Sequence, residues 1–234
     1  MPIIESAIRY FYDVCDQRNI DEFQDFITKK KIHHAVTIAG FAHKLSERQS
    51  NAVEHFLIEF LDSLKLFDSP LGIICGTMYG IPNIGIKIFF ERGYPTLAVM
   101  PQKGVHIKAK YPEHTIIVPP LCGITDFGAE SLYFIQMPSK FNIKNSLLIF
   151  GGGEYTDVEA RIAIAYNISL DYENAKKGYS PIPIIPVSRI GNTILGGVAD
   201  KLHTEFVYNN VPWIKLGVTS GKAAGEYLSR YFNS

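Results

Sequence analysis

The residues whose types and spacing could do chemistry lie in one stretch, Leu147-Leu148-Ile149-Phe150-Gly151-Gly152-Gly153-Glu154-Tyr155-Thr156-Asp157-Val158-Glu159-Ala160. Four apolar residues run into three glycines, and an apolar-periodic run follows, Ala160-Arg161-Ile162-Ala163-Ile164-Ala165. That order predicts a buried strand, a tight turn and the opening of a helix. Glycine lets the backbone approach a ligand closely, and the N–H groups at a helix start favour an anion. The stretch therefore suits the floor of a site for a phosphate-bearing small molecule. An ordinary strand-to-helix turn is the alternative reading of the same residues.

The elements that must hold this turn follow from the rest of the chain. With 234 residues, it is long enough for one large α/β domain. Lys plus Arg equals Asp plus Glu at 23 each, and this balance argues against nucleic acid as a partner, because non-specific binding needs a basic face. No apolar run reaches the roughly 18–20 residues of a membrane helix, and Met1-Pro2-Ile3-Ile4-Glu5 does not start like a signal peptide, so no membrane partner is expected. Cys15, Cys75 and Cys122 are far apart and odd in number, which suits a cytoplasmic protein and a role as small apolar fillers. His33, His34, His43, His106, His114 and His203 show no metal-ligand spacing. Neither a metal nor a cofactor is expected.

Residues 1–32 read as an N-terminal helical extension, with Ile4, Ile8, Phe11 and Tyr12 on one helix face and Phe23, Phe26 and Ile27 on a second. Residues 33–234 read as a single domain. Ala35-Val36-Thr37-Ile38-Ala39-Gly40 is a strand closing on glycine. Ser46 and Gln49 form a capping-box pair ahead of a helix to Leu64. Leu71 to Cys75 is a second strand. It enters the glycine-rich turn Gly76-Thr77-Met78-Tyr79-Gly80-Ile81-Pro82-Asn83, then a helix to Glu91 and a strand from Thr96 to Pro101. This βαβ unit puts its turns at one edge of a parallel sheet. His114 to Pro120 is a short strand, Ser131 to Gln136 suits either a helix end or a strand, and Pro181 to Val187 looks extended, with prolines that suit a sheet edge or a strand start. A helix is expected over Ile194 to Leu202 and another after Ser220. Alternating strands and helices predict an α/β, Rossmann-like, doubly wound parallel sheet with helices on both faces. Ligands of such sheets sit beyond the carboxyl ends of the strands. Three strands here end in glycine turns, at Gly40, at Gly76 to Gly80 and at Gly151 to Gly153.

The run Gly152-Gly153-x-Tyr155-Thr156-x-x-Glu159 resembles the P-G-G-x-G-T-x-x-E signature of the Lonely Guy phosphoribohydrolases, once labelled lysine decarboxylases, within the SLOG superfamily. Gly76-Thr77-Met78-Tyr79-Gly80 stands where that family has its first glycine-rich turn, and Thr96 to Pro101 resembles its strand ending in proline. Strand order and spacing agree from about residue 33 to 200. Two departures stand out: Gly151 and Tyr155 replace the proline and the third glycine. Where the hydrolases carry a catalytic arginine, this chain reads Gln136-Met137-Pro138-Ser139-Lys140-Phe141-Asn142-Ile143-Lys144, with lysines only.

The resemblance implies a crevice for a nucleotide or an ADP-ribose-like ligand, bound by Gly40, Gly76, Thr77, Gly80, Asn83, Gly152, Gly153, Tyr155 and Thr156, with Lys140 as a substitute cation. Thr156 would bond a phosphate or ribose oxygen. Glu159, three residues on and on the same helix face, would take a ribose hydroxyl or stabilise the sugar cation that builds as an N-glycosidic bond breaks. A first-turn acid that complements the helix dipole is the alternative for Glu159. Binding is the first reading. Hydrolysis of the N-glycosidic bond of a nucleotide or nucleoside is the alternative, with Glu159 catalytic. The superfamily also implies a homo-oligomer, dimeric or higher.

Overall fold

The computed structural model describes residues 16–67, 70–76, 79–107, 110–119, 129–173, 180–207 and 213–234. The helix expected on Ile4, Ile8, Phe11 and Tyr12 lies outside them, as do Thr77 and Cys122.

Helix α1 (Gln17–Lys30) starts where the Asp16 carboxylate accepts the Arg18 N–H at 2.9 Å, and it ends at Lys31 in the left-handed region (φ 55°). Its buried stripe is Ile20, Phe23, Phe26 and Ile27. Strand β1 (His34–Gly40) leads to α2 (Glu47–Ser63), whose Ser46–Gln49 capping box forms as the sequence indicates. Then come β2 (Leu71–Cys75), α3 (Ile81–Glu91), β3 (Thr96–Pro101), a 3-10 turn (Gln102–Ile107) and β4 (His114–Val118). The second half holds α4 (Ala129–Lys140), β5 (Lys144–Phe150), α5 (Glu154–Glu173), β6 (Ile184–Val187), the short pair β7 (Arg189–Ile190) and β8 (Thr193–Ile194), α6 (Gly197–Val207) and α7 (Gly221–Phe232).

The six main strands form one parallel sheet in the order β4-β3-β2-β1-β5-β6. Helices cover both faces, so β1, β2 and β3 are buried at every position. This is why their sequences are continuous apolar runs rather than alternating ones. Two apolar clusters result, one on each face of the sheet. The fold is a doubly wound, Rossmann-like α/β sheet.

Two sequence expectations change. Ser131 to Gln136 lies inside α4, where Tyr133, Phe134, Ile135 and Met137 are all buried; a helix with little polar surface gives a weak 3.6-residue signal. The segment from Ile194 does not start a helix. It ends the β7–β8 pair, and Gly196 and Gly197 (φ 64° and 63°) turn the chain before α6. In the expected N-terminal extension, the described helix α1 packs its stripe onto the cluster of the sheet, with Phe23 stacked on Phe141 (5.6 Å) and Phe26 on His114 (5.7 Å). Among the described residues, no helix is long and apolar enough to cross a membrane.

At the amino ends of the strands, His34 is 8% exposed, stacks on Phe232 (4.8 Å), and its Nδ1 has no hydrogen-bond partner. Burial, with Lys144 and His33 nearby, lowers its pKa from 6.5 to about 4. The unfolded chain therefore takes up this proton first as pH falls. Stability is full above pH 6.5 and declines toward pH 4, by about 3 kcal/mol for this residue. Urea melts between pH 7 and 4 are expected to show this loss, and His34→Phe, which keeps the stack, should flatten it.

Candidate functional site

The chain order reverses beside β1. Strands β2, β3 and β4 are laid down on one side of it, and β5 and β6 on the other. Loops leaving the carboxyl ends of β1 and β5 therefore depart in different directions and open a crevice there. Gly40 and Phe150 end these two strands and are paired in register. A Cβ on Gly40 would lie 2.5 Å from the Phe150 carbonyl oxygen, so glycine lets the two strand ends close.

The glycine turn after β5 is built from its contacts. Gly151 (φ 63°) lies against the Phe41 ring, and a Cβ there would come within 2.5 Å of it. Gly152 (φ 104°) lies against Thr156. The carbonyls of Gly151 and Gly152 accept the N–H groups of Ala199 (2.9 Å) and Val198 (3.1 Å). They therefore satisfy the otherwise unpaired donors at the start of α6. Gly197 packs directly on Gly152. The acceptor side of the turn thus holds a helix, and on its donor side the Gly151 N–H reaches the Val187 carbonyl at 3.4 Å. Gly153 is exposed, and its carbonyl accepts the Asp157 N–H at 3.0 Å, so α5 opens there. The first N–H groups of α5 have no acceptor within the helix.

A second helix start joins it. Gly80 (φ 77°) opens α3 without a side-chain cap, and Phe41 O accepts the Ile81 N–H at 2.9 Å. Phe41 thus touches both glycine turns, and its ring lies 4.6 Å from that of His43. Sequence reasoning passed over Phe41; an aromatic directly after a strand-ending glycine was the available signal.

The structure brings Gly40, Gly80, Gly152, Gly153, Tyr155, Thr156 and Glu159 to this end of the sheet, with Gly76 at the end of β2 and Asn83 on the first turn of α3. Thr156 has another role than the expected one. It is 3% exposed and its hydroxyl donates to Gly40 O at 3.2 Å, locking α5 to the end of β1. Tyr155, by contrast, is 51% exposed. Lys140 is misplaced as a ligand group. It ends α4 before β5 begins, roughly a full strand length, about 20 Å, from the crevice. The other cations considered are also engaged elsewhere. Lys144 caps α7 through the carbonyls of Tyr231 (3.5 Å) and Phe232 (3.3 Å), and Arg161 pairs with Asp157 and Glu205.

Glu159 lies one turn beyond Thr156. Part of its side chain is accessible, yet burial of the carboxyl and the nearby Glu130 hold its pKa well above the usual carboxylate value. Its charge is also felt by Cys75 at the end of β2, whose thiol is pushed up, chiefly by burial. A carboxyl held protonated can donate a hydrogen bond or a proton, which an ordinary first-turn acid cannot.

No family model matches the chain, and no curated protein matches it by sequence. Solved structures do match. The X-ray structure of TM1055, a structural genomics target, superposes with TM-score 0.58 at 14% identity over 84% of this chain and 99% of that one. DNA processing protein A from Helicobacter pylori, described by its single-stranded DNA binding mode, superposes at 0.50 with 12% identity over 93% and 86%. DNA processing protein A from Streptococcus pneumoniae gives 0.48 and 16% over 85% of this chain and 61% of its own. The expectation that nucleic acid is no partner is overturned here: the Helicobacter pylori protein has this kind of fold, and its structure is one of single-stranded DNA binding, so a balanced net charge does not exclude that partner. The similarity to the first two of these structures establishes the fold: the chain is a Rossmann-like α/β protein similar in architecture to TM1055 and to the Helicobacter pylori DNA processing protein A.

Proposed function

We propose that this chain is a SLOG-type protein that binds a nucleotide-derived small molecule, a nucleotide or an ADP-ribose-like compound, in the crevice between β1 and β5. Its phosphate sits on the N–H groups at Gly153 and the first turn of α5, and its sugar reaches toward Glu159. The observation that carries this reading is the pair of helix starts, α3 and α5, which both open on glycine at the reversal of strand order. At α3 the Ile81 N–H already donates to Phe41 O and Pro82 carries none, so α3 contributes its dipole and the first turn of α5 the donors, and the two together favour an anion. The resemblance of the glycine turn to the phosphoribohydrolase signature supports the ligand class. Cleavage of an N-glycosidic bond is the second reading, and the raised pKa of Glu159 favours it. The protein acts as a homo-oligomer on this reading; a monomer in sedimentation at micromolar concentration would count against that part.

Thermal shift with AMP, deoxynucleotides, NAD, ADP-ribose and a single-stranded oligonucleotide tests the site. A Cβ at Gly153 meets nothing within 4 Å, and the residue is not in the left-handed region. Gly153→Val should therefore keep the unliganded melting temperature while removing the shift given by a mononucleotide or ADP-ribose. No shift with any small molecule, or one that Gly153→Val leaves intact, sinks the proposal. Shift by the oligonucleotide alone points to nucleic acid as the ligand.

A further inference from the structure

Phe41-Ala42-His43-Lys44-Leu45 links β1 to the Ser46 cap of α2. Both ends of this loop are anchored. Phe41 is partly buried against the cluster that holds Phe150 and Leu195, and its ring lies on Gly151 in the crevice floor. Leu45 is buried, and Ser46 closes the capping box of α2. The middle is pinned as well. A Cβ on Gly80 would overlap the Phe41 carbonyl oxygen and lie 2.7 Å from that of His43, so the loop backbone runs directly over the start of α3. Between these anchors the His43 side chain is exposed. Its ring is held 4.6 Å from the Phe41 ring with a 53° tilt, a favourable separation for a ring pair. The imidazole is thus backed by Phe41 on one side and open to solvent on the other. A single exposed ring is ordinary. A ring fixed in advance at the mouth of a ligand crevice is less so, because a planar ligand then stacks on it without first ordering the loop. Histidine is among the side chains on which nucleobases stack.

We propose that His43 is the base-stacking residue of the crevice, with Phe41 as its positioning residue, and that the ligand is therefore a compound carrying a nucleobase rather than a sugar phosphate alone. This rests on the crevice reading above and deepens it. With the phosphate at Gly153 and the first turn of α5, the sugar crosses the contact between Phe41 and Gly151, and the base lies on the outer face of the His43 ring. Every base has a π-face, so stacking of this kind selects for a base without choosing among bases.

The test is calorimetric titration of the full chain with AMP, ADP-ribose and ribose 5-phosphate, the last of which has the phosphate and the sugar but no base. Wild type should bind at least one of the two base-bearing compounds more tightly than ribose 5-phosphate. Loss of a base–ring stack weakens binding by roughly 5- to 100-fold. His43→Ala should lower the affinity for the base-bearing compound by that factor and leave ribose 5-phosphate unchanged, and His43→Phe should restore most of the loss. Phe41→Leu keeps an apolar side chain against Gly151 and removes the backing ring. It should lower the ratio of the two affinities, which a merely structural loss would leave alone. Gly153→Val, by contrast, should weaken all three compounds, because they share the phosphate. Equal affinities with and without a base in wild type, or a His43→Ala variant that binds AMP and ADP-ribose as wild type does, would overturn the stacking role and leave the crevice reading standing. Loss in His43→Ala beside unaltered binding in Gly153→Val would overturn the phosphate floor and keep the stacking role. Binding of none of the three compounds would overturn both.

Discussion

Gly197→Ala is expected to destabilise the protein by about 3 kcal/mol and to lower its melting temperature by roughly 10 °C. Part of this comes from placing a Cβ at φ 63°, which costs about 1 kcal/mol. The larger part comes from the Gly152 carbonyl, which the new Cβ would overlap, with Gly152 N only 2.9 Å away. Relief means moving α6 off the glycine turn and breaking the Val198 and Ala199 hydrogen bonds to Gly152 and Gly151. The neighbouring Gly196 supplies the control. It has nearly the same φ (64°), and nothing lies within 4 Å of its Cβ position. Gly196→Ala should cost only about 1 kcal/mol. Equal losses in the two variants, by denaturant melts, would show that the contact between α6 and the turn is not what holds this region. Because the same turn forms the crevice floor, Gly197→Ala should also weaken any nucleotide-induced thermal shift that Gly196→Ala preserves.

Glu159→Gln should have opposite effects on function and on stability. Removing a positioned acid typically lowers turnover 10²–10⁴-fold, and that loss is expected in release of free base from nucleotides if the chain hydrolyses them. Affinity should change little, because glutamine keeps the shape and a donor toward a ribose hydroxyl. Stability should rise at pH 7 to 8, since burial, with Glu130 nearby, disfavours the charged wild-type carboxyl in the folded chain. The gain should vanish near pH 4, where both states are protonated. The dipole-complementing role expected of Glu159 falls instead to Glu154 and Asp157, which are the acids on the first turn of α5.

The elements were legible in the residues because each used a signal of short range. The strands announced themselves as apolar runs and α2 by the Ser46–Gln49 box, and Pro186 of β6 is tolerated because β6 ends the sheet. Helix α4 was ambiguous because its stripe is apolar on more than one side. The start of α6 was misplaced because its true boundary is set by Gly197 packing on Gly152, a contact 45 residues distant in sequence. The candidate site divides in the same way. Sequence spacing located the glycine turn and placed Thr156 and Glu159 on one helix face. It could not show that the Thr156 hydroxyl is spent on Gly40 O, or that Lys140 stands at the far end of β5.

The sequence by itself determined the doubly wound class, the end of the sheet that carries the glycine turns, and the helix that carries Glu159, because propensity, periodicity and turn chemistry act over a few residues. Only the tertiary structure decided which groups meet. Strand order brings Gly40 beside Phe150, and helix packing buries Thr156. Burial and through-space charge depend on partners distant in the chain, and these set both the proton affinity of Glu159 and the atoms left open to a ligand.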